Sequence, residues 1–345
     1  MSTRILILYT ELAGYTMACI KALANEDVTI HLVRYPVNKE APFEFSFSSH
    51  VHVYDRQEYS RAALIQLAET IQPHIILVSG WVDKDYVAVA KKWKNRIPTI
   101  VAMDNKWEGT LKQRMAVFAA PYLVLNAFNK CWVPGTIQKE FALRLGFKDE
   151  NIKTGFYTGD TEYFSAIYNE SRERTVPHRL VFSGRYYDFK GVRELWEAFA
   201  SWKKEQPNDW KLICMGTGDI EGLVHPDIEH LGFVQPDRLR PILLDGGVFI
   251  LPSKIEPWAV VVQEYAAAGY PLMLSKNVGA REAFLIDNEN GFSFEANSVD
   301  AIKDAFVKLS RLNAEQLSAM RKVSHELGIV NTPKQWVATL LSFMQ

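Results

Sequence analysis

The feature that most restricts this chain is an alternation that runs through it twice. Short, largely apolar stretches at residues 4–9, 28–33, 51–53, 75–78, 98–103, 123–126 and 130–133 read as strands. Helical spacing of apolar residues marks 15–24, 61–70, 86–93 and 111–118 between them. Strands buried on both faces lose the in–out alternation of a half-exposed sheet, so such runs imply a parallel sheet covered by helices. The pattern then starts again, with strands at 179–183, 211–215, 228–231, 248–251 and 271–274 and helices at 192–204, 236–244 and 298–312. A chain of 345 residues exceeds one average domain and suits two. The expectation is therefore α/β, with Rossmann-like domains over 1–165 and 166–328 and a polar stretch at 163–177 between them. In the final segment, 329–345, Trp336, Leu340 and Phe343 follow helical spacing and should dock as an amphipathic helix.

Composition narrows the function. A formal charge of −1 argues against a dedicated nucleic-acid binder, which needs a basic excess. The apolar run after the N-terminus is too short for a secretory signal, and no window is long enough to span a bilayer. Cys19, Cys131 and Cys214 are scattered without metal-ligand spacing, which suggests buried, reduced thiols and a cytoplasmic protein. The eight histidines show no ligand spacing either; His31, His52 and His74 read as core or rim residues. Asp83-Lys84-Asp85 is the one D-x-D, and the helix that follows it favours a capping role.

The chemistry concentrates in residues 249–281, FILPSKIEPWAVVVQEYAAAGYPLMLSKNVGAR. A buried strand breaks at Pro252-Ser253, and Glu256 follows in a loop. Pro257 should open a helix running from Trp258 to Ala268, with Gly269 as its C-cap. Glu264 then falls inside an apolar helix, where an unpaired carboxylate is costly. A polar ligand along this face would account for both acids. The amides of Ala259, Val260 and Val261 at the helix start offer an anion site.

The acid pair Glu256 and Glu264, with seven residues between them, follows a strand ending Leu-Pro-Ser and precedes a Gly269-Tyr270-Pro271 turn. This ordered set resembles the retaining glycosyltransferases of family 4, which have the GT-B fold: two Rossmann-like domains facing across a cleft. The resemblance covers about 179–307 and extends more weakly over the first half. It implies that Glu264 binds the donor ribose and that Glu256 faces the donor sugar, with Trp258 and Ala259 standing where relatives carry Phe and Gly. Arg185 and Lys190, flanking a loop between strand and helix, match the cations that neutralise the leaving diphosphate. Gly216 in Met-Gly-Thr-Gly-Asp would line the nucleotide cleft, although a plain turn is nearly as good a reading. Phe233 and Val234 would hold the base through their backbone.

In the first half, Gly14 matches the family's glycine loop, with Ala13 where a second glycine is usual. Asp104 stands near a position where many relatives have a histidine, as a candidate catalytic residue. Trp81, Asp83, Asn105 and Trp107 follow strand ends and could meet an acceptor; the two tryptophans are equally well read as core. The family also implies that the terminal helix crosses back to the first domain. The expected reaction moves a sugar from a nucleotide diphosphate sugar, of UDP or GDP type, to a hydroxyl of a glycan or glycolipid acceptor of the cell-surface polysaccharide kind. No metal or cofactor is expected. A cluster of Lys91, Lys92, Lys94 and Arg96 with Trp93 could rest on anionic headgroups, giving peripheral contact at the inner face of the membrane; a solvated helix end is the alternative. A nucleotide-sugar epimerase of the same fold and a catalytically silent nucleotide-sugar-binding homologue are the rival readings.

Overall fold

The computed structural model describes residues 2–37 and 45–345, apart from the side chain of Asp237. The chain divides into two compact units, Met1–Thr158 with Thr332–Gln345, and Gly159–Asn331. These divisions fall a few residues away from the expected ones at both passages.

The first unit runs β1 (Thr3–Tyr9), α1 (Gly14–Leu23), β2 (Val28–Arg34), β3 (Val51–Asp55), α2 (Arg61–Ile71), β4 (Ile75–Ser79), α3 (Lys84–Trp93), β5 (Thr99–Ala102), α4 (Leu111–Leu123), β6 (Lys130–Trp132), α5 (Thr136–Arg144) and β7 (Ile152–Lys153). Its seven strands lie in the order β3-β2-β1-β4-β5-β6-β7, paired in parallel. Successive residues face opposite layers. Leu6, Leu8, Ile76, Val78 and Val101 pack under one set of helices, whereas Ile5, Ile7, Ile75, Leu77 and Ile100 pack under the other. Two buried faces explain why these strands read as continuous apolar runs.

The second unit runs α6 (Thr161–Ser171), β8 (Arg179–Ser183), α7 (Val192–Glu205), β9 (Lys211–Met215), β10 (Ile228–Gly232), α8 (Pro236–Leu244), β11 (Val248–Leu251), α9 (Val260–Ala267), β12 (Leu272–Ser275), α10 (Arg281–Phe284), β13 (Gly291–Phe294), α11 (Val299–Ser310) and α12 (Ala314–Gly328). Its six strands take the order β10-β9-β8-β11-β12-β13, again parallel. In each sheet the chain winds outward on one side and then returns to start the other. The switch points lie between β1 and β4 and between β8 and β11, the places where open α/β sheets bind ligands.

The last helix, α13 (Pro333–Leu341), belongs to the first unit. The Trp336 indole stacks on Trp132 at 5.0 Å and donates a 2.8 Å hydrogen bond to the Phe156 carbonyl.

Three expectations need correction. Residues 123–126 are the end of α4 and its turn rather than a strand; the amides of Val124 and Leu125 both donate to the Ala120 carbonyl. A short apolar run carries too little length to separate strand from helix. Residues 163–177 are no linker over their first half. Asp160 caps α6 by accepting from the Tyr163 amide at 3.1 Å, and Phe164 and Ile167 are buried beneath its polar outer face. Pro257 does not start α9, which begins three residues later, so Trp258 belongs to the preceding loop.

Candidate active site

In the second unit the switch point is built from two loops. After β8, Gly184–Tyr187 leads into a single 3₁₀ turn, Asp188–Lys190, closed by Gly191 with φ +70°. A Cβ at Gly191 would stand 2.3 Å from the Pro252 carbonyl oxygen, so glycine is what lets this loop lie against the loop after β11. The amides of Lys254 and Ile255 donate to the Phe189 carbonyl at 2.8 and 3.2 Å. That contact brings Lys190 onto Glu256. The ammonium pairs with Glu256 Oε2, which also accepts from Ser253 Oγ at 3.1 Å. Lys190 and Glu256 therefore neutralise one another in this structure. Arg185 sits partly buried in the same post-β8 loop.

The Met-Gly-Thr-Gly-Asp glycines have a packing reason. A Cβ on Gly216 would lie 1.9 Å from the Gly184 carbonyl oxygen, and one on Gly218 about 2.6 Å from that of Tyr186. They bring the loops after β8 and β9 into contact. Phe233 and Val234 follow β10 at the same edge, both partly buried.

Ala259 is the N-cap of α9 and adopts φ +83°, ψ +86°. That left-handed conformation is strained for any residue with a Cβ, and strain of this kind clusters at functional sites. The first intrahelical bond reaches the Ala259 carbonyl from the Val262 amide, at 3.1 Å. The Val260 and Val261 amides precede it, at the positive end of the helix dipole. At the other end Gly269, φ +74°, stops the helix one residue after the cap Ala268.

Glu264 lies on α9 against Gly159, where an added Cβ would come within 2.8 Å of Glu264 Cγ. Burial of the carboxyl, aided by the negative charge of Asp160, raises its pKa to about 7. Among the described residues no cation is paired with it, unlike the pairing at Glu256. Sequence reasoning passed over Gln263 beside it. Gln263 is fully buried, accepts from the Gly159 amide at 2.9 Å, and donates to the carbonyls of Gly328 and Asn331 at 3.1 and 2.6 Å. Both ends of the second unit are thus fastened to the helix that carries Glu264. An amide side chain next to Glu264 in a largely apolar helix was the available signal.

In the first unit, the β1–β4 switch point holds Thr10, whose amide donates to Ser79 Oγ at 2.8 Å. Gly14 is the first residue of α1, behind the N-cap Ala13. Asp104 follows β5 and accepts from the Tyr157 hydroxyl at 3.2 Å; Asn105 beside it is exposed. A cavity of about 370 Å³ is lined by Thr10, Glu11, Tyr35, Val82 and Asp83.

Asp83 is committed elsewhere. It accepts from the amides of Asp85 and Tyr86 as the N-cap of α3, and from Tyr35 Oη at 2.9 Å and Arg56 Nε at 2.8 Å. Burial alone would raise its pKa, but Arg56, Tyr35 and the two amides outweigh it and hold the carboxyl below its ordinary value. Trp107 is covered by Arg144, 4.6 Å from the ring centroid, and by Phe141 at 5.7 Å; Trp81 also lies on Phe141. Both tryptophans are partly buried and pack against the core. Parts of the cationic cluster at the end of α3 have partners within the fold, while Lys91 is exposed. Lys92 pairs with Glu69, Lys94 donates to the Leu125 carbonyl, Arg96 covers Trp93, and Trp93 is buried.

Cys19, Cys131 and Cys214 are reduced and buried. Among the described residues no group of three or more His, Cys, Asp or Glu side chains could hold a metal ion, and no helix is long and apolar enough to cross a membrane.

Residues 177–311 match the family described as Glycosyl transferases group 1. An uncharacterized glycosyltransferase of Methanocaldococcus jannaschii is 30% identical over 132 residues, 36% of this chain and 33% of the relative. The chain thus spans about a third of that relative's length. A glycosyltransferase structure from Rickettsia africae superposes with a TM-score of 0.74 at 14% identity, covering 99% of this chain and 98% of the other. An Anabaena protein in complex with UDP and glucose gives 0.70 at 14% identity, over 97% and 99%. The two parallel sheets accordingly have the GT-B fold, and residues 177–311, within the second unit, are similar to the group 1 glycosyl transferases.

Proposed function

We propose that this protein is a cytoplasmic retaining glycosyltransferase of the family 4 type. It would move a sugar from a nucleoside diphosphate to a hydroxyl of a glycan or glycolipid acceptor, in the manner of cell-surface polysaccharide synthesis. The anomeric carbon loses its bond to the diphosphate and gains one to the acceptor oxygen on the same face, and the hydroxyl proton is released. The observation that carries this reading is Glu264. A desolvated carboxyl with no cationic partner among the described residues, on the helix whose amides start at a strained Ala259, is stabilised by a ligand that supplies hydroxyl donors and an anion together. A sugar nucleotide has both, in its ribose and its diphosphate. The Anabaena structure with UDP and glucose supports the same ligand class.

Arg185 and Lys190 supply the positive charge that a departing diphosphate needs. Lys190 begins paired with Glu256, so the carboxylate holds the ammonium at the loop until phosphate competes for it. Within the first unit, Asp104 is the candidate catalytic residue and Gly14 the candidate for donor approach.

The test is a thermal-shift screen against UDP, GDP, ADP and their sugars, since a ligand of the native state raises the melting temperature by mass action. Glu264→Ala should then weaken binding of the active nucleotide by more than about tenfold, the scale of charge-assisted hydrogen bonds. Arg185→Ala should lower kcat with a smaller change in KM. No shift with any nucleotide, or unchanged kinetics in both variants, sinks the reading. Product formed without acceptor would favour an epimerase instead, and binding without transfer a silent homologue.

A further inference from the structure

Helix α4 is built inside out. Of its thirteen residues only Ala120 is buried, and Val117 packs partly against the core. The large side chains point the other way: Leu111 is 75% exposed, Met115 64%, Phe118 86% and Tyr122 78%. They recur at intervals of four, three and four residues, which places them in one narrow stripe along the outer face. Single exposed apolar residues are ordinary; four in register are not. A helix of this length with one buried residue and an internal Pro121 also gains little from the body it rests on.

We propose that this outer face lies on an anionic phospholipid bilayer, with the helix parallel to the surface. Charge decides between this and a second copy of the chain. The helix contains no acidic residue, and Lys112 and Arg114 flank the stripe on either side, both exposed. Arg114 also donates to the Gly109 carbonyl at 3.0 Å, which holds its stem along the helix start. Two such faces meeting would bring cations together without an acid from either helix. An interfacial helix uses the same arrangement productively: aromatic and aliphatic side chains enter the acyl boundary while cations reach the headgroups. Tyr122 suits that boundary, since it has an apolar ring and a polar tip. The surface is distinct from the α3 lysines singled out above, of which Lys92 pairs with Glu69 and Lys94 with the Leu125 carbonyl, and it does not depend on the donor site.

The experiment is sedimentation of the full chain with vesicles of phosphatidylcholine alone or in equal mixture with phosphatidylglycerol. Binding is expected only to the mixed vesicles, weakening as salt is added. Met115→Glu with Phe118→Glu should lower it by more than about tenfold, given the apolar area lost to water. Lys112→Glu with Arg114→Glu should lower it too, with unchanged circular dichroism in both variants. As a second readout, an environment-sensitive dye on Phe118→Cys should brighten with the mixed vesicles alone; the native thiols are buried and leave that label selective. No sedimentation by the unaltered chain, or equal sedimentation by the variants, overturns the proposal. So does a concentration-dependent dimer in light scattering that the Met115 and Phe118 substitutions abolish.

Discussion

Asp83 and Glu264 are both acids near a switch point, one in each unit, and the fold treats them in opposite ways. Asp83 is surrounded by donors: a guanidinium, a phenol and two helix amides. Its pKa falls. Glu264 has burial and the negative Asp160 near it, and its pKa rises to about 7. The first acid is spent on structure, and the second is held in readiness. An expected site residue is therefore better judged by whether its valences are already satisfied than by its position alone.

The strongest way to break this comparison is to orphan Asp83. Its side chain is 6% exposed and that of Arg56 12%, so Arg56→Ala should destabilise the first unit by about 3–5 kcal/mol in urea unfolding, the scale for a buried charge left without its partner. Asp83→Asn added to it should recover part of the loss. A negligible effect would return Asp83 to the pool of acceptor-binding candidates.

Next in size is Gln263→Ala, which strands the Gly159 amide and the carbonyls of Gly328 and Asn331. A loss of about 2–4 kcal/mol from the second unit is expected, since each buried unmatched group is expensive. Hydrogen exchange at Gly159 should quicken. Retained protection there would mean the clamp is redundant.

Glu264 sharpens the comparison through pH. Its folded pKa lies above the ordinary 4.5, so the folded state binds the extra proton between about 4.5 and about 7. Stability should fall as pH rises through that window, because the folded chain must then hold a desolvated charge. Glu264→Gln should stabilise the second unit above neutrality by about 3 kcal/mol and change little at pH 4.5. Asp83 has the reverse sign: its contribution is present above the ordinary 3.8 and is lost as pH falls through its lowered value. If donor hydroxyls bind the Glu264 carboxylate, affinity in calorimetry should rise with pH through about 7, with proton release. A flat profile would remove Glu264 from the donor site.

The smallest effect is expected at Ala259. Glycine there relieves a left-handed Cβ worth about 1–2 kcal/mol but adds freedom to the unfolded chain worth about 0.4–1 kcal/mol, so a net gain near 0.5 kcal/mol is expected. Loss of donor affinity in the same variant would indicate that the methyl group touches the ligand.

The sequence by itself determined the layered architecture and most of the strands. A parallel sheet buried on both faces leaves continuous apolar runs, which need no tertiary information to be seen, and the helix after β11 was legible in the same way. Its Glu264 stood out because burial makes any carboxylate conspicuous. What only the tertiary structure decided was pairing. Arg56 reaches Asp83 from 27 positions away, Lys190 reaches Glu256 from 66, and Gln263 fastens Gly159 across 104. No local pattern encodes such distances. The same holds for α4, whose spacing announces an apolar face but does not say whether the body of the protein covers it. Propensity and periodicity act between near neighbours, whereas satisfaction of charge and burial of a face are settled by whatever the fold brings alongside.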